Sequence, residues 1–338
     1  MDATTNGYLK NYVVIDGNGK VVFTDIETLE IVGEPIGSLK NIGENGIENI
    51  LKIVSEKELG IMQNLDSACE FKEMCKAYMK DELLAELRSE LVKKERLKKA
   101  LINNEVRIVY QPQYNLTTHE LVGAEALARW EDKELGIFGP SDFVPIAENH
   151  GFINLLGRYV LIRACKQNKE WQDKGYKKIR VSVNISYSHF EKGDILKDIE
   201  DALTESGLEP KWLEIELTES KAPSNIHEQV KILRKISEMG ISISIDDFGT
   251  GYSTLNYIRN FPIDGIKIDK SFMTADEDDR MLKHIVNLSR EMGLYTVAEG
   301  VETIEQLDNA VRYGCDIVQG YLFGKPMGSK EMELLMKI

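Results

Sequence analysis

The chain has 338 residues, of which 42% are hydrophobic and 29% are charged, and its formal net charge is −14. This composition is ordinary for a globular protein, and the length allows one domain of about 250 residues beside a smaller one. The negative charge argues against partners such as nucleic-acid polymers or anionic lipid surfaces. It does not exclude a small phosphorylated ligand, because clustered carboxylates that hold cations invert the local field.

The sequence contains no sign of a membrane or secretory segment. No apolar run approaches the roughly 20 residues that span a bilayer, and the first residues lack the basic and apolar regions of a secretory signal. We therefore expect no direct membrane insertion. The four cysteines and five histidines have no zinc-site spacing, so reduced thiols in a cytoplasmic protein are the simplest interpretation.

The first hundred residues differ in character from the rest of the chain. Residues 1–80 predict a small N-terminal α+β module with a regulatory role, and residues 12–23 predict a hairpin because Asp-Gly-Asn-Gly suits a tight turn. Residues 81–104 are rich in Leu, Glu and Lys and predict a connecting helix whose apolar stripe indicates packing or a dimer contact. Three leucines of this stripe have helical spacing: Leu84, Leu87 and Leu91.

From residue 105 to 338, short β-branched segments alternate with longer amphipathic ones. Eight segments predict strands: Val106–Tyr110, Leu121–Leu127, Ile179–Ile185, Leu213–Leu217, Ile241–Ile245, Gly265–Ile268, Tyr295–Ala298 and Ile317–Gln319. Helices are predicted between most of them, among others Phe152–Lys174, Asn225–Met239, Asp278–Met292 and Glu302–Tyr313, the last with a capping box from Thr303 to Gln306. This alternation predicts a (β/α)8 TIM-like barrel, with a doubly wound open sheet as the alternative.

Side chains alternate between apolar and polar along the predicted strands. Val181, Val183 and Ile185 are apolar, for example, whereas Ser182 and Asn184 between them are polar. A buried parallel sheet is ordinarily apolar on both faces. We therefore expect the apolar face to pack on the helices and the polar face to line the barrel interior, toward the C-terminal end where barrel enzymes carry their active sites.

Polar residues gather at the ends of seven of these strands. They are Glu125, Asn184, Glu216, Glu219, Asp246, Asp247, Lys267, Glu299 and Gln319. Each one alone is most simply a capping or turn residue, but the convergence of all of them on one barrel face favours a site. Oxygen donors without His or Cys favour Mg²⁺, Mn²⁺ or Ca²⁺. The surplus of carboxylates indicates two ions, about 3.5–4 Å apart, as used for in-line displacement at phosphorus.

The adjacent pair Asp246 and Asp247 is the most informative part of this set. Neighbouring carboxylates repel each other unless protons or cations share their site. On a continuing strand the two side chains would point to opposite faces of the sheet. Both can reach metals only if the chain bends, which we expect Gly249 and Gly251 to permit.

A series of motifs follows in order along the second part of the chain. They are Tyr110-Gln111-Pro112-Gln113, Glu125-Ala126-Leu127 with Arg129-Trp130, Asn184 in Val-Asn-Ile-Ser, Glu216-Leu217-Thr218-Glu219, Asp246-Asp247-Phe248-Gly249-Thr250-Gly251-Tyr252-Ser253, Lys267-Ile268-Asp269, Glu299-Gly300-Val301-Glu302 and Gln319-Gly320-Tyr321-Leu322-Phe323. The series resembles the EAL-domain family of cyclic di-GMP phosphodiesterases over about residues 96–338. Lys270 and Thr254 depart from the commoner Arg and Ser, and neither departure removes a ligand.

The resemblance implies an EAL-type barrel, in which the first strand can run antiparallel, over residues 105–338. It also implies hydrolysis of cyclic di-GMP to linear 5′-pGpG with two Mg²⁺ or Mn²⁺ ions, and a homodimer. The first ion would be held by four residues: Glu125, Asn184, Glu216 and Asp246. Asp247 would join Asp246 at the second ion.

The resemblance assigns further roles around these ions. Lys267 would orient or activate the attacking water, and Glu299 would handle a proton or support the metals. Gln319 would position this cluster, and Glu219 would anchor the loop after Asp247. Arg129 would clamp a substrate phosphate, and the full set of implied substrate contacts is Gln111, Leu127, Arg129, Asp269, Glu302 and Tyr321.

Two other functions stay open on the sequence alone. A catalytically silent cyclic di-GMP receptor or interaction module could use the same fold, although such members usually lose metal ligands or the glycine loop, which this sequence keeps. An aldolase-like barrel would use Lys267 as a Schiff-base amine, which acidic surroundings disfavour. No GGDEF signature is present, and Ile36–Leu101 resembles the tail of a degenerate GGDEF domain that leads into an EAL domain. A small PAS-like sensor is the alternative for the N-terminal module.

Overall fold

The computed structural model describes residues 13–15, 21–24, 89–192, 194–218, 226–249, 260–273 and 280–337. The chain divides into two compact units, Met1–Glu86 and Leu87–Ile338. In the first unit, strands β1 (Val13–Ile15) and β2 (Val21–Thr24) pair antiparallel. This pairing confirms the predicted hairpin, whereas the regulatory role of residues 1–80 stays a prediction.

The described part of the second unit begins with helix α1 at residues 89–102, inside the predicted connecting helix. Its buried side chains are Leu97, Ala100 and Leu101, whereas Leu91 is 49% exposed. The packed face of α1 is therefore set by the positions around Leu97. Leu84 and Leu87 of the predicted stripe lie outside the described residues.

Eight strands of the second unit, among the residues described, close into a mixed barrel. They are β3 (Arg107–Asn115), β4 (Leu121–Asp132), β6 (Arg180–Ile185), β7 (Leu213–Thr218), β8 (Ser242–Phe248), β9 (Gly265–Ile268), β10 (Tyr295–Ala298) and β11 (Ile317–Val318). Strand β3 is antiparallel to both neighbours, β4 and β11, and every other barrel pair is parallel. Strand β5 (Gly136–Phe138) adds to the outer part of β4. The barrel prediction, with an antiparallel first strand, is confirmed, and the open sheet is excluded.

Helices surround the barrel between its strands. They are α2 (Pro140–Asn149), α3 (Ile153–Asp173), α4 (Tyr187–Lys192), α5 (Ile195–Ser206), α6 (Ile226–Glu238), α7 (Arg280–Glu291), α8 (Ile304–Tyr313) and α9 (Ser329–Leu335). The four helices predicted by name agree with α3, α6, α7 and α8 to within two residues at each end. Helix α8 begins with the predicted capping box, in which Thr303 accepts from the Gln306 backbone.

Alternation along the strands separates the two faces of the barrel wall. Val181, Val183 and Ile185 of β6 are fully or almost fully buried against the outer layer of helices. The positions between them face inward, and the register aligns Asn184 with Glu216 on β7. Inward polar groups from successive strands therefore lie at matching heights, as the sequence pattern predicted. This register positions the site.

None of the helices in the described part of the chain is both long and apolar enough to cross a membrane.

Candidate active site

Strand β8 contains an irregularity at the adjacent aspartates. Its register against β9 shifts between Ile245 and Phe248, and Asp247 has a left-handed backbone with φ of 52°. The Asp247 backbone N–H donates to Asp246 Oδ1 at 3.0 Å. The bend was expected from the glycines, but it occurs at Asp247 itself, because Asp tolerates the left-handed region better than most residues. Gly249 also has positive φ, at 97°, and Gly251 lies outside the described residues.

This bulge allows both aspartates to approach a common cluster of carboxylates. Two groups of three acidic residues each bring ligand oxygens within 4.8 Å of one another: Glu125 with Glu216 and Asp246, and Asp246 with Asp247 and Glu299. Asp246 belongs to both groups, so its carboxylate is shared by two adjacent sets of possible metal ligands. The residues that supply them come from β4, β7, β8 and the end of β10.

The ammonium group of Lys267 lies at the centre of this cluster, 1% exposed. Its Nζ atom is close to one oxygen of each of four carboxylates: Glu216 at 2.9 Å, Glu299 at 2.9 Å, Asp246 at 3.0 Å and Glu125 at 3.5 Å. Burial by itself would lower the pKa of Lys267, but the four carboxylates outweigh it and hold the pKa well above its ordinary value. The Lys267 side chain of this metal-free cluster therefore stays positively charged.

The carboxylates of the cluster differ in the direction in which the site shifts their pKa values. Burial acts to raise the pKa of Glu125, but the Lys267 charge and hydrogen bonds from Gln319 and Asn184 hold it below its ordinary value. Burial raises the pKa of Glu216 and of Glu299 well above the usual range, and nearby carboxylates add to the effect. One lysine thus does not satisfy all of these acids, and the cluster favours further positive charge.

Asp247 shows the same excess of negative charge on the outer side of the cluster. It is partly buried, and its pKa is raised to about 6 by burial and by the charges of Asp246 and Asp269. The ionised form of such a carboxyl group is stabilised by a nearby cation.

The donor set fits hard divalent cations. Asn184 donates through Nδ2 to Glu125 Oε1 at 2.7 Å, while its buried Oδ1 atom has no hydrogen-bond partner. Neither buried carboxylate oxygen of Glu216 has a hydrogen bond, and Oε2 forms the ion pair with Lys267. Unpartnered buried oxygens are costly unless a cation or water fills the space. The Asn184 oxygen and the surrounding carboxylates are ligands that Mg²⁺ and Mn²⁺ prefer.

Three buried glutamines support the cluster where β3 meets β11. Gln319 Nε2 donates to Glu125 Oε2 at 2.5 Å and to Gln111 Oε1 at 3.1 Å. Gln113 Nε2 donates to Gln319 Oε1 at 2.8 Å, and Gln111 Nε2 donates to the Gly324 carbonyl at 3.2 Å. The structure thus places Gln319 beside Glu125. Gln111, which was predicted to contact substrate, is only 8% exposed and accepts a hydrogen bond from Gln319.

The other residues predicted to touch substrate lie around the mouth of the barrel. Leu127 and Arg129 continue the inward parity of Glu125 along β4, and burial lowers the pKa of half-buried Arg129 while Glu125 and Tyr321 act to raise it. Tyr321 is 54% exposed, and Lys325 lies over its ring at 5.3 Å. Among the described residues, these side chains therefore lie toward the C-terminal end of the barrel rather than within the buried cluster.

Asp269 and Glu302 belong to the loops that follow β9 and β10. Asp269 accepts from the Ser271 backbone at 2.9 Å and caps a short 3₁₀ turn, and its charge reaches Asp247. Glu302 is exposed, and its backbone N–H donates to Gln306. Asp269 is thus near the cluster, and Glu302 is at the start of α8. Glu219 lies outside the described residues.

Sequence reasoning missed Gln113 as a site residue. It is 5% exposed and contacts Gln319, which contacts Glu125. The signal was present, because Gln113 lies two positions from Gln111 and so shares its face of β3. The sequence could not indicate that Gln113 contacts Gln319, because this contact forms only where β3 pairs with β11 and closes the barrel.

Comparison with known proteins identifies the barrel. The EAL domain model matches residues 94–326. Cyclic di-GMP phosphodiesterase NbdA of Pseudomonas aeruginosa is 36% identical over 260 residues, covering 76% of this chain and 33% of that protein. Signaling protein YkoW of Bacillus subtilis is 37% identical over 241 residues, covering 70% and 30%. The chain thus spans about a third of the length of the curated relatives it matches.

Solved structures agree with the sequence matches. A structure of PaMucR phosphodiesterase in complex with c-di-GMP superposes with a TM-score of 0.66 at 38% identity, covering 70% of this chain and 98% of that one. EAL enzyme Bd1971, bound to cAMP and cyclic-di-GMP, gives 0.68 at 26% identity, covering 83% and 78%. The antiparallel first strand, the acidic cluster on one barrel face and these matches lead to one conclusion: the chain belongs to the EAL domain family.

Proposed function

We propose that this protein is a metal-dependent phosphodiesterase that hydrolyses cyclic di-GMP to linear 5′-pGpG and so lowers the concentration of this bacterial second messenger. The observation that carries the proposal is the pair of acidic groups that share Asp246 beside a buried lysine. The names of NbdA and of the PaMucR complex supply the substrate class. Two divalent ions would supply a hydroxide nucleophile at neutral pH and neutralise charge that develops on the phosphate.

Charge balance supports two ions rather than one. The five carboxylates of the two acidic groups carry −5 when ionised and Lys267 carries +1, which leaves a formal charge of −4. Two divalent cations balance that charge. We infer Mg²⁺ or Mn²⁺, with Glu125, Asn184, Glu216 and Asp246 at the first ion and with Asp247 joining Asp246 at the second.

Lys267 acts in this proposal as a positively charged donor and not as a base. In the metal-free cluster its raised pKa keeps the group protonated, which suits it to donate hydrogen bonds rather than to accept a proton. Its N–H groups can orient the attacking water and stabilise negative charge in the transition state. Glu299, 2.9 Å from Nζ and with a raised pKa, is the group on this side of the cluster suited to hold a proton.

The substrate would enter at the C-terminal end of the barrel. Arg129 offers a planar fork for a phosphate, and Tyr321 offers an exposed ring for stacking on a guanine base. Leu127, Asp269 and Glu302 complete the predicted contacts around this entrance. Gln111, buried behind the cluster, supports Gln319 more directly than it meets substrate.

The alternatives differ in measurable ways. An aldolase would need a neutral Lys267 amine, which the surrounding carboxylates disfavour. A silent receptor would bind cyclic di-GMP without cleaving it. The test is incubation of the purified full chain with cyclic di-GMP and Mg²⁺ or Mn²⁺, followed by chromatography of the nucleotides. We expect metal-dependent appearance of 5′-pGpG, and binding of intact cyclic di-GMP without turnover would instead support the receptor.

Three further predictions accompany the activity. We propose a cytoplasmic location, a homodimer and a regulatory role for residues 1–80. Sedimentation of the full chain tests the dimer. Comparing turnover of the full chain with that of residues 96–338 tests regulation, because an N-terminal module that gates the barrel would change the rate when removed.

A further inference from the structure

A chain of hydrogen-bonded side-chain amides leads from β3, at the point where it pairs with β11, to the Glu125 carboxylate of the acidic cluster. Gln113 on β3 donates to Gln319 Oε1 at 2.8 Å, and Gln319 Nε2 donates to Glu125 Oε2 at 2.5 Å. All three side chains are at least nine-tenths buried. Each link runs in the same direction, with the donor on the side away from the acidic cluster, so the chain transmits orientation as well as contact.

The orientation of the Gln319 amide depends on both of its ends. Its NH₂ group faces the Glu125 carboxylate, and its carbonyl faces the Gln113 donor. A rotated amide would present its carbonyl to the carboxylate, which is repulsive. Without the Gln113 donor, the Gln319 carbonyl would also be left buried without its partner. Gln113 therefore favours the one orientation in which Gln319 supports Glu125.

The wall of the barrel holds Gln113 in place. Gly123 on β4 lies opposite Gln113 in the register of the β3–β4 pair. A Cβ atom at Gly123 would lie 2.3 Å from Gln113 Oε1, so only glycine leaves room for this side-chain conformation. The Gln113 amide thus occupies the space next to Gly123, and this close fit limits the rotation of the amide.

We propose that Gln113 is a positioning residue that orients Glu125 for metal binding through Gln319. The inference rests on the proposed function, because Glu125 matters here as a metal ligand. Partners behind a metal ligand fix its orientation, and their loss typically lowers metal affinity by about 10-fold to 100-fold. Gln113 touches neither metal nor substrate in this proposal.

The test is a Mn²⁺ titration of the full chain without substrate, followed by electron paramagnetic resonance. Gln113→Met removes the donor and keeps the length of the side chain. We expect it to weaken Mn²⁺ binding by about 10-fold. Turnover at limiting Mn²⁺ should fall in parallel and recover at saturating Mn²⁺, which a loss of folding would not allow. Gln229→Met, at a buried glutamine of the outer helix α6, is the matched control and should leave Mn²⁺ affinity unchanged.

A double-mutant cycle tests whether Gln113 acts through Gln319. Gln319→Met alone should weaken Mn²⁺ binding, and adding Gln113→Met should weaken it no further. If Gln113→Met does not fold, Gln113→Ile, with a β-branched side chain suited to strands, replaces it.

The outcomes separate this inference from the proposed function. Full additivity of the two substitutions, or unchanged Mn²⁺ affinity in the folded Gln113 variant, would overturn the positioning role while wild-type turnover stands. A wild-type protein that neither binds Mn²⁺ nor cleaves cyclic di-GMP would overturn the proposed function and this inference together.

Discussion

Lys267 and Asp247 show how single residues set the chemistry of the cluster. Lys267 is the cation that four carboxylates share within 3.5 Å, among the described residues. Asp247 brings a second carboxylate to the same side as Asp246 by adopting a left-handed backbone. One residue thus supplies charge and the other supplies geometry, and each can be tested separately.

Lys267→Met should destabilise the metal-free protein, because it leaves the buried carboxylates without their counter-charge. Removing one partner of a buried ion pair costs about 3–5 kcal/mol, and proton uptake by Glu216 and Glu299 would reduce that loss here. Chemical denaturation in EDTA measures it. The control is Lys166→Met at an exposed pair with Glu205, where the expected loss is about 1 kcal/mol or less. Equal losses in both variants would contradict a central role for the Lys267 charge.

Asp247→Asn should keep the fold and lose activity. Asn accepts the left-handed backbone and removes a charge that the raised pKa of Asp247 shows to be unfavourable, so thermal stability without metal should equal or exceed that of wild type. Turnover should fall on the order of 100-fold or more, because one ligand of the second ion is lost. Asp247→Ala removes the same carboxylate and adds backbone strain of about 1 kcal/mol. Equal melting temperatures for the two variants would count against strain at this position, and retained turnover in both would count against the ligand role.

The loops that follow the strands contribute to the shape of the site. The loop after β10 and the loop after β11 approach each other closely, since the Val301 backbone N–H donates to the Gln319 carbonyl at 3.2 Å. Gly320 makes this approach possible. A Cβ atom there would lie 2.1 Å from the Val301 carbonyl oxygen, so any larger residue must separate the two loops.

Gly320→Ala should therefore destabilise the barrel and impair the site together. Overpacking of this kind costs about 1–3 kcal/mol, and the displaced loops carry Glu299 and Gln319. Denaturant unfolding and a turnover assay on the same preparation measure both effects. Gly139→Ala is the control, because its backbone is extended and the nearest atom to its new Cβ would be at 3.7 Å. Wild-type turnover in Gly320→Ala would argue against a tight coupling of these loops to the site.

At the scale of the whole molecule, the cluster links metal binding to stability. The barrel encloses five clustered carboxylates, four of them paired with one lysine, and this excess of negative charge favours the binding of cations. Ligands that bind only the folded state stabilise it by mass action. The metal should therefore be visible in the unfolding of the second unit, independently of any assay of turnover.

Each Mn²⁺ ion that binds the folded protein should stabilise it by about 2.7 kcal/mol at 100 times its dissociation constant, and EDTA should reverse the effect. Thermal unfolding with and without Mn²⁺ gives the shift. Asp246→Asn should remove most of it, because Asp246 belongs to both acidic groups. Asp173→Asn, at an exposed carboxylate of α3, should leave the shift intact. An undiminished shift in Asp246→Asn would place the metals elsewhere.

Much of the fold could be predicted because its signals are local. Strands β9 and β10 match the prediction residue for residue, and α3, α6 and α7 differ by one or two residues at each end. Strand β3 was predicted too short, since it continues past Pro112 to Asn115. Strand β5, Gly136–Phe138, was not predicted, because it is held by its pairing with the outer part of β4 rather than by a pattern of its own.

The sequence by itself determined which residues face the barrel interior, because side-chain alternation is a property of each strand alone. It also determined the family, because an ordered series of motifs needs no coordinates. Only the tertiary structure decided that Lys267 lies among four carboxylates, that Asp247 carries the bend, and that Gln113 reaches Glu125 through Gln319. These facts depend on distances between strands far apart in the chain, and closure and register set those distances after the chain has folded.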